Sequence, residues 1–202
     1  MRIKELKKFT ILGLVVAEVA LVLVSWLLSA IQTEGVQSLL SSEGIRWLFS
    51  SSVTMLLHPS LVWILLLSMA VGCLWKSGLL TIGFSGLFRP KSCGYRERVA
   101  LRLTLALLLL LLLIIGALTL PPHAILLSST GRLFPSPFSQ AIVPILTFLS
   151  IILSSVYGLA SGRFASFSDV IDALEYGIKI AAPVLILYIF LSQFLASLQF
   201  VF

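Results

Sequence analysis

Few side chains in this sequence can do chemistry, and the most unusual by type and place is Glu18. It lies well inside an apolar run that begins at Thr10, about 12 Å along a helix that rises about 1.5 Å per residue. An acidic side chain near the centre of a membrane helix costs about 2.5–3.5 kcal/mol on insertion scales. Glu18 must therefore face other helices, carry a proton, or pair. One reading is a proton or cation site, with Arg102 the nearest basic candidate for pairing. The other is a neutral, hydrogen-bonded packing residue. Ser192 and Gln193 are adjacent polar residues in an otherwise apolar stretch. Neighbouring positions on a helix point about 100° apart, so at least one of the two faces protein. A glutamine amide in a membrane bridges helices for about 0.6–2 kcal/mol, and contact with a substrate is the alternative.

The remaining reactive types form no site. His58 stands beside Pro59 and His123 follows Pro121 and Pro122, each without a second ligand at metal spacing, and both read as interfacial. Cys73 and Cys93 have no metal-ligand spacing and no nearby histidine. There is no nucleophile elbow and no His-Glu-x-x-His helix. No catalytic residue, metal or cofactor is expected.

The elements that must position these residues follow from composition. Of 202 residues, 59% are hydrophobic and 11% charged, against about 25% charged in soluble domains, and the mean hydropathy is +1.12. The solvent is a lipid bilayer. About 20 apolar residues cross about 30 Å of hydrocarbon, which predicts an all-α integral membrane protein of one domain, 1–202, with spans at about 10–30, 59–75, 99–120, 138–159 and 180–198. Residues 36–52 are too short and polar to span and suit an interfacial or shallow re-entrant helix. Residues 167–179, with Asp169 and Asp172 in a first turn, suit a second such helix leading into the last span. The N-terminal run continues to Ala30 without a convincing cleavage site and reads as a retained span.

The net charge of +6 lies in short loops between apolar runs, so it marks topology and gives no nucleic-acid face. Basic residues precede span 1, cluster from Lys76 to Arg102 and recur at Arg163 and Lys179. The positive-inside rule then puts the N-terminus in the cytoplasm and the C-terminus outside a bacterial inner membrane. Small residues at Gly13 and Ala17, and at Ser150, Ser154, Gly158 and Gly162, recur at spacings of four and predict close helix packing. The expected partner is a second copy or another membrane subunit.

Three segments carry a more specific pattern. Ser38–Leu80 contains Leu39–Ser41, Glu43-Gly44, Arg46-Trp47, Gly72 and Lys76–Leu79. Gly131–Gln193 contains Ser136-Pro137-Phe138, Ile142-Val143-Pro144, Tyr157-Gly158, Gly162 and Asp169-Val170, and ends in the pair Gln193-Phe194. Arg96–Leu120 follows a stretch rich in Glu and Arg. In their order and spacing these segments resemble the AbgT family, the p-aminobenzoyl-glutamate transporters. Members of that family carry two hairpins and an Asp-containing substrate region. The resemblance places only Thr81–Tyr95 opposite the first hairpin and nothing opposite the second, so no substrate or coupling residue of the family is carried over.

The resemblance thus implies the helices that support and dimerise such a protein, and no enzyme activity. Two expectations follow. One is a scaffold or accessory subunit that has lost the transport core. The other is a reduced proton-coupled transporter of small organic anions such as aminobenzoyl-glutamate, working as an oligomer or with a second chain. Glu18, Gln193 and Ser192 would then be its transport or coupling residues.

Overall fold

The computed structural model describes residues 2–32, 35–56, 58–81, 94–119 and 137–202. Of the positions named above, Cys93, Leu120, Pro121, Pro122, His123, Gly131 and Ser136 lie outside the described residues, as do residues 82–93. The helices are α1 (Arg2–Ala30), α2 (Ser42–Leu56), α3 (Pro59–Ser77), α4 (Tyr95–Thr119), α5 (Pro137–Ser161) and α6 (Phe167–Val201). Five of them, all but α2, are long and apolar enough to cross a membrane. Their most apolar windows reach mean hydropathies of 1.6–2.7 while only 6–28% of each window is buried within the protein. Apolar surface turned outward on this scale is what a lipid solvent demands, and helices are the fold that satisfies every backbone group there. The protein is an all-α integral membrane protein. Helix α2, at 15 residues, is about 22 Å long, and its exposed Ile45, Leu48 and Phe49 suit the membrane interface.

Local chemistry sets the helix ends. The Ser41 hydroxyl accepts the Gly44 N–H at 3.0 Å and caps α2. Gly44 is needed there because a Cβ would lie 2.5 Å from the carbonyl oxygens of Ser38 and Leu39. At the start of α4, the Glu97 carboxylate accepts the Gly94 N–H at 3.2 Å, one half of a capping box. Helix α5 opens with proline at its first position. It closes at Gly162, whose φ of +79° lets Arg163 N–H reach the Gly158 carbonyl at 2.9 Å and Gly162 N–H reach Leu159 at 3.2 Å. This pair of bonds is a Schellman cap. The Asp169 carboxylate accepts N–H groups of Ala165 and Ser166 at 2.6 and 3.2 Å, favourable beside the positive end of α6. The 167–179 segment and the last span form one uninterrupted helix of 35 residues.

Packing divides the chain into two compact units, Met1–Val62 with Ala182–Phe202, and Trp63–Ala181. In the first, the loop after α1 is tied down at two points. Gln37 N–H bonds the Val201 carbonyl at 3.1 Å, and Leu39 N–H bonds the fully buried Ser25 hydroxyl at 3.3 Å. Trp47 of α2 stacks on Phe200 of α6 with centroids 4.6 Å apart, and Ser60 meets the Tyr188 hydroxyl at 2.5 Å.

In the second unit, α3 and α6 approach backbone to backbone. A Cβ on Gly72 would fall 2.5 Å from the Gly177 Cα and the Ala173 carbonyl oxygen, and one on Gly177 would collide with the Ser68 carbonyl. Cys73, Phe164, Val170 and Ala173 form a buried core beside this crossing. Helix α4 packs along α5, with Ala100 and Thr104 buried and leucines such as Leu105, Leu109 and Leu113 facing outward.

Candidate functional site

In the first unit, residues 10–18 of α1 run beside residues 183–197 of α6, and this pairing places Glu18. The Ser197 hydroxyl donates to Glu18 Oε1 at 2.5 Å. One helical turn earlier, Gln193 Nε2 donates to Ser197 Oγ at 3.4 Å. Ser197 is fully buried. The 2.5 Å bond lies at the short end of the range in which a hydroxyl meets a carboxylate. The 3.4 Å bond lies beyond the usual 2.7–3.2 Å range and is the weaker link. The donors run one way, from amide to hydroxyl to carboxyl, so each bond polarises the next.

Glu18 Oε2 is buried and has no hydrogen-bond partner among the described residues. Burying a carboxyl group with one oxygen unsatisfied is costly. A cavity of about 100 Å³ lies between the same two helices, lined by Thr10, Ile11, Pro183, Val184 and Leu187. Pro183, a residue without an N–H, opens the α6 backbone hydrogen bonding beside it.

The other residues read from the sequence are dispersed. Ser192 is half-buried next to Gln193, and no bond joins it to the cluster. Ala17 is half-buried, and Gly13 faces open space, where an added Cβ would meet nothing within 4 Å. Ser154 is fully buried and bonds the carbonyls of Ser150 and Ile151, while Ser150 bonds that of Leu146. Gly158 receives the Phe164 ring, which fills the space of its missing side chain. Gly162 is the cap described above. His58 Nδ1 lies 2.9 Å from Ser60 Oγ, so His58, Ser60 and Tyr188 form a second polar chain in the same unit.

The family model described as "AbgT putative transporter family" matches residues 88–201, more than half of the chain. The chain belongs to that family. Among solved structures, the YdaH transporter of Alcanivorax borkumensis, described as having an unusual topology, is similar in fold. The TM-score is 0.81 at 18% sequence identity, over 93% of this chain and 70% of that one. No curated protein matches. The AbgT match covers α4, α5 and α6, and with them Gln193 and Ser197, whereas Glu18 precedes it.

Sequence reading of this AbgT-family chain missed Ser197, the residue that joins Glu18 to Gln193. Its signal was the spacing of four from Gln193, which puts both on one helix face. It also missed the pairs Ser68/Gly72 and Ala173/Gly177. These are small residues four apart on two helices, the same pattern that α1 and α5 carry.

Proposed function

We propose that this AbgT-family protein is a scaffold or accessory subunit of a membrane transport assembly, the part that holds helices in place. The supporting observation is how its intramembrane polar groups are used. The hydroxyls of Ser25, Ser68, Thr104, Thr119, Thr147 and Ser155 each bond a carbonyl three or four residues back on their own helix. Gln193, Ser197 and Tyr188 bond from helix to helix or along one helix. Polar groups engaged in this way are satisfied within the protein and leave little to recognise a passing solute.

A second reading rests on Glu18 Oε2, buried and unpartnered among the described residues. In it the chain is a reduced proton-coupled transporter of small organic anions such as aminobenzoyl-glutamate. It would build its pathway as an oligomer or with a second chain, and Glu18 would carry the proton. Reconstitution into vesicles under an imposed proton gradient separates the two. The scaffold reading expects p-aminobenzoyl-glutamate uptake no higher than in protein-free vesicles, for wild type and Glu18→Gln alike. Uptake by wild type that Glu18→Gln abolishes would replace it with the second reading. Uptake that survives the substitution would remove Glu18 from the coupling role and the scaffold reading with it.

Two further elements of the proposal are testable separately. The excess of Lys and Arg in alternate loops supports a cytoplasmic N-terminus and an external C-terminus in a bacterial inner membrane. Alkaline phosphatase fusions should be active at the C-terminus and inactive at Lys91. Light scattering in detergent should give a protein mass of at least twice 22.1 kDa if the partner is a second copy, whereas co-purification of a different membrane chain would identify another subunit.

A further inference from the structure

Charged side chains from separate elements of the second unit line one cavity of about 270 Å³: Lys76, Arg163, Asp169 and Asp172, together with Phe164. Lys76 stands in the last turn of α3, Arg163 just after α5, and the two aspartates in the opening turns of α6. The cations are held in place without being fully neutralised. Lys76 Nζ donates to the Asp172 backbone carbonyl at 3.2 Å and lies 5.4 Å from the Tyr176 ring centroid. An ammonium has three donors, so two remain for a ligand. Arg163 packs over Gly78, where any side chain would collide with its guanidinium. Its Nη2 lies 3.6 Å from Glu97 Oε1, beyond bidentate geometry. Asp169 Oδ2 accepts the two N–H groups that cap α6. Asp172 is exposed at the cavity.

The balance of charge identifies the ligand class. The lining is balanced, with two carboxylates against two cations. A simple anion would therefore gain no net attraction, and a simple cation would leave Lys76 and Arg163 unused. A group carrying both signs a few ångströms apart meets both sets. The cavity is large compared with the ~30 Å³ of one water, and it opens where membrane-crossing helices end, the level at which headgroups and aromatic side chains meet. We propose that this cavity binds a phosphate–ammonium zwitterion, the headgroup of a phosphatidylethanolamine-type lipid. The phosphate sits on Lys76 and Arg163, and the ammonium on Asp172. The site is independent of whether the protein transports anything.

The test uses the full chain in detergent, titrated with dihexanoyl phosphatidylethanolamine and dihexanoyl phosphatidylglycerol, with intrinsic tryptophan fluorescence and native mass spectrometry as readouts. The ethanolamine lipid should bind about tenfold more tightly, a difference of about 1.4 kcal/mol. Asp172→Asn should abolish that preference. Lys76→Ala should weaken both lipids about tenfold while Lys76→Arg retains them, with helicity by circular dichroism showing each variant folded. Water-soluble glycerophosphoethanolamine, the headgroup without chains, should compete only at about a hundredfold higher concentration. Equal competition would assign the site to a soluble zwitterion and overturn the lipid. Equal affinity for the two lipids, or a preference unchanged in Asp172→Asn, would overturn the site.

Discussion

Helix α6 is held by two different chemistries along its length. In the unit formed by Trp63–Ala181, its first half meets α3 through missing side chains, with Ala173 and Gly177 opposite Ser68 and Gly72. In the unit formed by Met1–Val62 and Ala182–Phe202, its second half meets α1 and the start of α3 through polar bonds, at Ser197 and at Tyr188. Lipid tails are as apolar as leucine, so burial of apolar surface cannot hold such helices together. The difference between the halves shows the two remaining routes weighted differently along one helix: close backbone packing in the first half, beside a single Lys76 bond to the Asp172 carbonyl, and hydrogen bonding in the second.

The sharpest way to break the comparison is to fill the glycine crossing. Gly177→Leu inserts a side chain where backbone already lies, and should cost about 3 kcal/mol, read as reduced resistance to unfolding in mixed SDS micelles. A neutral result would mean that the two backbones do not approach as closely as described. Next in size is Ser197→Ala, which leaves both oxygens of Glu18 without a donor among the described residues and should cost about 1.5 kcal/mol in the same assay. Combining it with Glu18→Ala, which removes the acceptor, in a double-mutant cycle should give a coupling of about 0.6–1.7 kcal/mol. Zero coupling would separate the two residues. Tyr188→Phe removes a hydroxyl but keeps the ring, and should cost about 1 kcal/mol, with Ser60→Ala adding little more because the bond is already gone. The smallest effect belongs to the exposed pair of Lys179 and Glu175, 3.1 Å apart on one face of α6. Lys179→Ala should change stability by no more than about 0.5 kcal/mol. A larger loss would mean that exposed charge contributes as much as either buried route.

The caps show how far local chemistry can be read. The acidic residues in the first turn of α6 were legible from their positions, and Asp169 does cap that helix. The role of Gly162 was not. Its spacing from Gly158 suggested a packing stripe, whereas its positive φ places it at the end of α5. A glycine satisfies either demand equally well, and the sequence does not say where the helix stops. Glu18 stood out because a carboxylate in an apolar run is costly wherever it occurs, but its partner lies 179 positions away at Ser197.

Apolar runs and short motifs are enough to place this chain in a membrane, to count the helices long and apolar enough to cross it, and to show which family it resembles. Those properties are sums over local runs of apolar side chains and local motifs, and they need no knowledge of which helix lies beside which. The packed helices add that Glu18 is met by a buried serine, that Gly72 and Gly177 face each other across two helices, and that Lys76, Arg163 and Asp172 share one cavity. Each of these depends on how a helix is rotated about its axis against a neighbour distant in sequence. In a bilayer that rotation is set by small steric and hydrogen-bonding differences between faces of almost equal hydropathy, so the periodicity that reveals buried faces in water carries little of it.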